Sequence, residues 1–583
     1  MRGLGLGRTF VLAAILAAGA AGAATVQVKA GDTTPDAGGC GSKANPCDTI
    51  QAGVDAAATG DVVNVAKGDY AENVVVATPA IHLRGAGALL GAPLASCPGD
   101  AARVNIAACE GLGVQLSCDA AWQPIGDVVP RATSCFWTGA ACAPCDAAGA
   151  EDLGCTNSCT GAIPAALTIA ADDVSVEKLR VRAPPLVGIG VEDGADGVEL
   201  RGVRVEGAGD ACIAGDGDRL AVSGSIARSC EGGGIVVDGA DAALDKNRVA
   251  GTNGAALRVR GPGALITRNT VAGVGGACAR VDGDGATVDR NRLSACGGVG
   301  IDVRGSGLRL SKNQVRSADT GLDVSCRAIP TVCADAARTT IAACSDQATE
   351  PACAATAQQS ANNGLISCFW DGTCNACNLN QEEGGSCTDT CLATPGDRCA
   401  DALADGNKIA ETFEDECIRA QSFDTGLRLE RNQLSLCSQG GVSIEGTAVH
   451  AERNTVTDCG AFANAAGFQL EGSGHTLVSN VARGCSGDGF RIETGENVSL
   501  VGSEAIENYD DGFDVQGGLT IVIEDAVAKN NVAGGIEIGE FATTTTVSGS
   551  RASGNLLDFC DEGSGTTSAG NQFGTSGAPC TPD

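Results

Sequence analysis

Apolar residues recur along this chain in short clusters that suit neither a long helix nor a long strand. Between Lys246 and Val315 one phrase returns four times: Lys246-Asn247-Arg248-Val249, Arg268-Asn269-Thr270-Val271, Arg290-Asn291-Arg292-Leu293 and Lys312-Asn313-Gln314-Val315. The asparagines are 22 residues apart, and the phrase reappears at the same interval as Arg431-Asn432-Gln433-Leu434 and Arg453-Asn454-Thr455-Val456. A fixed period of this length marks a stacked repeat whose units bury their apolar faces against neighbours. Leu244, Ile266, Val288 and Leu310 stand three residues before the asparagines, and Val249, Val271, Leu293 and Val315 two after. Asp245, Thr267, Asp289 and Ser311 follow the first set as outward-facing strand positions. Each unit adds Gly with an apolar-x-apolar triplet, such as Gly234-Ile235-Val236-Val237 or Gly300-Ile301-Asp302-Val303.

Two or three short strands per unit, one coil stacked parallel on the next, predict an all-β parallel β-helix. Asparagine tolerates a left-handed backbone, which puts it at a turn, and stacked amides can hydrogen-bond up the column. About fifteen coils at ~4.8 Å each predict a rod roughly 70 Å long. The chain has 583 residues, 84 glycines and 3% aromatics, which fits a thin aliphatic interior with many turns.

The coils are not continuous. We expect a cap and first coils over 24–96, coils over 161–325 and 400–560, and a polar tail over 561–583. Asp48-Thr49-Ile50-Gln51, with Asp48 as cap, opens a short helix whose Ile50, Val54, Ala57 and Ala58 share a face and would cover the end of the stack. Residues 97–160 and 326–399 are inserts, and the second repeats the first. Cys97, Cys109, Cys118, Cys135, Cys142, Cys145, Cys155 and Cys159 match Cys333, Cys344, Cys353, Cys368, Cys374, Cys377, Cys387 and Cys391. Trp137 and Trp370 also match, and Cys326 and Cys399 are extra.

An export signal opens the chain at 1–23: Arg2 and Arg8, the apolar run Phe10–Ala18, then Ala21-Gly22-Ala23. Its apolar core is too short for a membrane span, and no other stretch reaches the ~20 residues one needs. Thirty cysteines suit an exported chain that keeps disulfides. The inserts carry C-x2-C and C-x3-C spacings but no histidine, so disulfides are favoured over zinc. Outside them, Cys40 with Cys47, Cys212 with Cys230, Cys278 with Cys296 and Cys560 with Cys580 are spaced to pair. Cys437, Cys459 and Cys485 each follow an aligned asparagine by five residues, as a column of buried thiols or with a Cys437–Cys459 bridge. A net charge of −32 argues against nucleic acid and anionic lipid as partners. The Ala/Gly bias of the chain leans bacterial.

Cys40 to Val76, with Thr49-Ile50-Gln51, Gly60-Asp61-Val62-Val63 and Gly68-Asp69-Tyr70-Ala71-Glu72-Asn73, resembles the N-terminal segment of secreted right-handed parallel β-helix proteins of the pectin-lyase-like superfamily. Asp488-Gly489-Phe490-Arg491-Ile492 and Asp511-Gly512-Phe513-Asp514-Val515 are similar to coil repeats of that group. The resemblance implies the fold. Activity stays open, because the superfamily holds lyases, hydrolases, epimerases, adhesins and passive surface proteins. No Asp-Asp pair comes together with the Gly-His-Gly and Arg-x-Lys signatures of polygalacturonases, the Asp-Pro-His-Glu run of alginate epimerases is missing, and His82, His450 and His475 are scattered.

Two outward columns carry candidate chemistry. Lys246, Arg268, Arg290 and Lys312 form a basic track for an anionic glycan, or a face of mixed charge, since Asp245 and Asp289 alternate beside them. The middle residues of successive triplets form the second: Arg428, Ser443, Gln469, Arg491, Asp514 and Glu537, with Asp488, Asp510 and Asp511 nearby. These carboxylates could act as acid and base in glycoside cleavage, bind calcium, or make ordinary Asp-Gly turns, with Arg491 as a ligand contact. The reading places a disulfide-braced binding or structural module ahead of a polysaccharide lyase or hydrolase. Its partner is a polysaccharide or a surface protein, it needs no cofactor, and it works at the cell surface, in the periplasm or outside.

Overall fold

The computed structural model describes residues 23–31, 39–91, 165–184, 186–325, 402–422, 426–460, 464–577 and 580, with the backbone of eight short strands inside the inserts. The expected export signal, up to residue 22, and the side chains of the insert cysteines and tryptophans lie outside the described residues.

Each coil contributes three short strands, and like strands stack in parallel on three faces. The front sheet runs through Val74–Val76, Leu167–Ile169, Ile189–Val191 and Ile235–Asp238 to Leu557–Asp561. The back sheet holds the strand before each asparagine, such as Ala243–Asp245, and the side sheet the strand after it, such as Arg248–Ala250. Phe490–Val501 and Phe513–Glu524 run from the front sheet into the back without a break, and those two sheets join as one 33-stranded system. The inner positions of the repeat strands are apolar and buried: Leu244, Ile266, Val288 and Leu310 on the back, Val249, Val271, Leu293 and Val315 on the side. Phe468, Phe490 and Phe513 stack in the front column with ring centroids 4.8 Å apart, a direct reading of the rise per coil.

The asparagines occupy a sharp corner between back and side sheets. Asn247, Asn269, Asn291, Asn313, Asn407, Asn432, Asn454 and Asn480 are all buried, each amide oxygen accepting the backbone N–H of the asparagine or serine one coil before. Each Nδ2 donates to a back-strand carbonyl, as Asn291 does to Ile266 O at 2.9 Å. The ladder therefore satisfies backbone groups that the bend takes out of sheet pairing. The asparagine is not the left-handed residue, contrary to the sequence reading. The residue before it is: φ is +55° at Lys246, +56° at Arg268, +53° at Arg290 and +54° at Lys312. That bend throws the cation outward and turns the following amide inward.

The first helix, Ile50–Asp55, is capped by Thr49 rather than Asp48, its Oγ1 accepting from Ala52 N at 3.1 Å. Ile50, Val54 and Ala57 are buried, whereas Ala58 is exposed. Gln51 both accepts from Val75 N (2.7 Å) and donates to Val75 O (3.1 Å), so a side chain occupies the open edge of the first front strand. At the other end, strands Thr567–Ala569, Gln572–Phe573 and Ser576–Gly577 continue the stack past the point where the sequence reading placed a tail.

Cys40–Cys47, Cys212–Cys230, Cys278–Cys296 and Cys560–Cys580 are disulfides, as their spacing predicts. Cys437, Cys459 and Cys485 do share a column, but Cys437 pairs with Cys417 and Cys459 with Cys485. Neither alternative left open by the spacing is seen: the column is disulfide-bonded rather than a set of free thiols, and the Cys437–Cys459 bridge does not form. Inside the inserts, strands 121–125, 131–137 and 142–144 form an antiparallel meander, and so do 356–359, 365–370 and 374–376. The two inserts thus share backbone topology as well as cysteine spacing.

Candidate functional site

The front sheet places one outward residue of each coil in a column. Its members run Val236, Arg258, Arg280, Asp302, Asp323, Arg419, Ser443, Gln469, Arg491, Asp514 and Glu537. Arg428 is not among them. It lies on the back sheet between Leu403 and His450, and Arg419 holds the front position. Gly426-Leu427-Arg428-Leu429 repeats the Gly-apolar-x-apolar pattern of the front triplets on a back-sheet strand, which put Arg428 in the wrong column.

Near the C-terminal end this column meets the turn that leads each coil into the front sheet. Asp488, Asp510 and Asp511 each present a carboxylate oxygen within 4.8 Å of the others. Asp488 is 1% exposed, and its Oδ2 accepts from Arg491 Nε at 2.7 Å while its Oδ1 accepts from Asp511 N at 3.0 Å. Asp511, also 1% exposed, accepts from Gly534 N in the next coil. Arg491 reaches toward Asp514 at 3.9 Å, and Asp514 takes a hydrogen bond from Gln516. The structure thus brings Asp488, Arg491, Asp510, Asp511, Asp514 and Glu537 to one patch. The turn role of Asp488 and Asp511 is equally real, since each carboxylate satisfies a backbone donor one coil on.

Burial sets the protonation of this patch. Desolvation pushes Asp488 up to about 6, with Arg491 opposing it. Burial, reinforced by the charges of Asp488 and Glu537, pushes Asp511 up to about 8. At neutral pH Asp511 is therefore a carboxylic acid beside ionised neighbours, a division of states that suits acid–base work or hydrogen bonding to hydroxyls. Calcium is the poorer occupant, because the guanidinium already on Asp488 would repel it.

Sequence reasoning missed two features of the front face. Tyr509, immediately before the two aspartates, is 71% exposed. With Val532 and Leu556 in the equivalent turns it makes an apolar strip beside the carboxylates, and one tyrosine gives no periodic signal. The second feature is an Arg–Asp lattice higher up the rod, where Arg280 contacts Asp282 at 3.2 Å and Asp302 at 3.6 Å and Arg304 contacts Asp302 at 3.4 Å. Burial raises Asp302 and pushes Asp323 up to about 6. The middle residues of the triplets were its signal.

The basic column sits on a different edge. Lys246, Arg268, Arg290 and Lys312 project from the back–side corner, so Arg491 belongs with the carboxylates and not with them. A groove of about 450 Å³ lies there, lined by Arg268, Thr270, Arg290, Arg292, Lys312 and Gln314 over Asn269 and Asn291. His475 is buried in the core wall, its Nδ1 accepting from Val449 N, while His82 and His450 lie on the back sheet.

A family profile described as right-handed β-helix region matches residues 187–336 and 398–573, more than half of the chain. No curated protein sequence matches. Among solved structures, the periplasmic alginate epimerase AlgG is similar at 10% identity, over 67% of this chain and 76% of its own, with a TM-score of 0.31. The catalytic unit of a thermostable GH87 α-1,3-glucanase from Streptomyces thermodiastaticus strain HF3-3 is similar at 12% identity, over 91% of this chain and 67% of its own, with a TM-score of 0.31. A pectin methylesterase in complex with a hexasaccharide is similar at 15% identity, over 46% of this chain and 80% of its own, with a TM-score of 0.21. Identities this low and overlays this partial transfer no residue role. Among the described residues, no helix is long and apolar enough to cross a membrane.

Proposed function

The chain belongs to the right-handed β-helix family, and we propose that it is an exported glycan-binding rod that engages a polysaccharide with the lower front face. One observation carries this: the exposed ring of Tyr509 stands next to Asp510 and the Asp488–Arg491–Asp511–Asp514 patch. A flat ring supplies a stacking surface for a sugar, and carboxylates supply acceptors for its hydroxyls. The surrounding acidity, with Glu471, Glu493, Asp510 and Glu537 on or beside the face, favours a neutral glycan over a polyuronate. Binding stands ahead of cleavage because Asp488 and Asp511 each spend an oxygen on a backbone donor and Arg491 is held by Asp488.

A second reading has its own support. Asp511 held protonated beside carboxylates of lower pKa is an acid–base pairing of the kind glycoside hydrolysis uses. The test is a panel of neutral and acidic polysaccharides incubated with the protein, scored for retention, new reducing ends and ultraviolet absorbance of unsaturated products. Retention of a neutral glycan, lost in Tyr509→Ala, with no new ends, is expected. New ends that vanish in Asp511→Asn establish the hydrolase instead. No retention of any neutral glycan refutes the binding reading.

A further inference from the structure

The back–side corner carries positively charged residues at a left-handed backbone position, where glycine is the unstrained choice. Register places Lys178, Gly202, Gly224, Lys246, Arg268, Arg290, Lys312, Gly406, Arg431, Arg453, Ser479, Gly502, Asp525 and Gly549 at one position of successive coils, and all have positive φ. Glycine fills this position without strain, with φ between +58° and +63° at Gly224, Gly406 and Gly502. A side chain with a Cβ is disfavoured here, yet four consecutive coils carry lysine or arginine. Five of the fourteen positions are glycine and seven are lysine or arginine, so the fold accepts either.

Three of these coils, those of Arg268, Arg290 and Lys312, also line the groove, whose opposite bank, one residue past each asparagine, holds Thr270, Arg292 and Gln314, with Arg248 one coil before it. Six cations and two carboxylates, Asp245 and Asp289, therefore flank the corner in a protein of net charge −32. Asp245 engages Arg268 at 2.7 Å and Lys246 at 3.6 Å, and Asp289 engages Arg290 at 2.6 Å. Arg248, Arg292 and Lys312 are exposed and make no ion pair among the described residues.

We propose that this corner is a second binding site, for a linear polyanionic glycan laid along the rod axis. Cations repeat at the coil rise of 4.8 Å on one bank, close to the advance of one sugar residue along an extended chain, and on every second coil on the other. Arginine forks match carboxylate and sulfate groups, while Gln314 and Thr270 face the hydroxyls between them. Uronate and sulfated sugars share this chemistry. The site is separate in place and in charge from the acidic front face, so its fate does not depend on that reading.

The corner supplies its own test, because neighbouring coils show which substitutions the fold accepts. In Arg268→Gly/Arg290→Gly/Lys312→Gly each change installs the residue found at Gly224 and Gly406. Arg292→Thr installs the residue found one coil earlier at Thr270. Binding of the full mature chain is measured to polygalacturonate, a sulfated galactan, neutral dextran and single-stranded DNA. Raising salt from about 0.01 to about 0.15 M shortens screening from about 30 to about 8 Å. The wild type is expected to bind at least one charged glycan, more weakly at the higher salt, and to leave dextran free. The triple variant should melt near the wild-type temperature and bind about tenfold more weakly or worse, with a smaller loss in Arg292→Thr. Polygalacturonate and the galactan, ranked against each other, identify the anionic group. Equal binding by wild type and both variants, no charged glycan bound at low salt, or DNA bound as tightly as either glycan would each overturn the proposal. Should the triple variant misfold, Arg292→Thr decides.

Discussion

Replacing Asn291 by alanine tests whether the buried amide ladder holds the coils together. Its Nδ2 donates to Ile266 O at 2.9 Å and to Asn313 Oδ1 at 3.0 Å, and its Oδ1 accepts from Asn269 N at 2.9 Å and Asn269 Nδ2 at 3.0 Å. Alanine removes all four bonds and strands two donors on Asn269, its backbone N–H and one amide hydrogen, where water has no access. At roughly 1–3 kcal/mol for each stranded donor, with a cavity term added, the loss is about 3–6 kcal/mol. Asn571, in the last coil, is the control: it bonds Val547 O, Ser568 Oγ and Ser550 N, but it is half-exposed, so water can replace the side chain. Asn571→Ala should cost about 1 kcal/mol. A stack of coils need not unfold in one step, so urea melts should be paired with hydrogen exchange at the Asn269 amide. The amide should lose protection in Asn291→Ala while amides several coils away keep theirs. A loss in Asn291→Ala no larger than in Asn571→Ala would show that the ladder fills space rather than satisfying the bend.

Three further outcomes are expected. Asp511 has a folded-state pKa of about 8, against about 3.9 unfolded, so the folded chain holds a proton that the unfolded chain releases between those values. Stability is full below about pH 4, falls by up to about 1.4 kcal/mol per unit as pH rises, and levels off above about 8. Asp511→Asn keeps an acceptor for Gly534 N–H and should flatten melts recorded between pH 5 and 8, and an unchanged slope would contradict the buried-acid assignment. Phe490 is fully buried between Phe468 and Phe513, so Phe490→Ala should lower urea stability by about 3–5 kcal/mol, and a loss below about 1 would mean the column is not tightly packed. Peptide mapping under non-reducing conditions should recover Cys417 with Cys437 and Cys459 with Cys485, and a Cys437–Cys459 peptide would refute that pairing.

The coil architecture was legible because each unit repeats the same physical demand. An inward apolar residue, an outward polar one and a buried amide recur every 22 residues, and only a stacked strand pattern meets all three. What the sequence concealed lies where two residue types can answer one demand. Left-handed backbone was assigned to asparagine, which tolerates it best, yet asparagine is needed inside as a hydrogen-bonding amide, so the bend falls on the residue before it. Arginine at positive φ carries no sequence signal at all. Arg428 was misplaced because Gly426-Leu427-Arg428-Leu429 copies the front triplet on a back-sheet strand, and Tyr509 was missed because a singular residue has no period. The Cys417–Cys437 and Cys459–Cys485 pairings were hidden because Cys437, Cys459 and Cys485 share one column, so the period alone does not say which of them pair.

The second corner of each coil explains why cysteine and asparagine interchange in this chain. After the side sheet, one inward position runs Cys437, Cys459 and Cys485 and then continues as Asn508, Asn531 and Asn555. Cys485 N donates to Asn508 Oδ1, Asn508 N to Asn531 Oδ1 and Asn531 N to Asn555 Oδ1, so an amide ladder begins where the disulfides stop. A disulfide constrains the unfolded chain and needs an oxidising compartment, whereas an amide ladder satisfies backbone donors in any compartment. Between Cys485 and the terminal Cys560–Cys580 bridge, the coils that carry Asp510, Asp511, Asp514 and Glu537 are therefore held by hydrogen bonds, while the coils from Cys417 to Cys485 are held by covalent links. Reducing agent should loosen the Cys417–Cys485 coils and leave the patch-bearing coils protected from exchange. Exchange rising first in the Asn508–Asn555 coils would show that the amide ladder does not substitute for the disulfides it replaces.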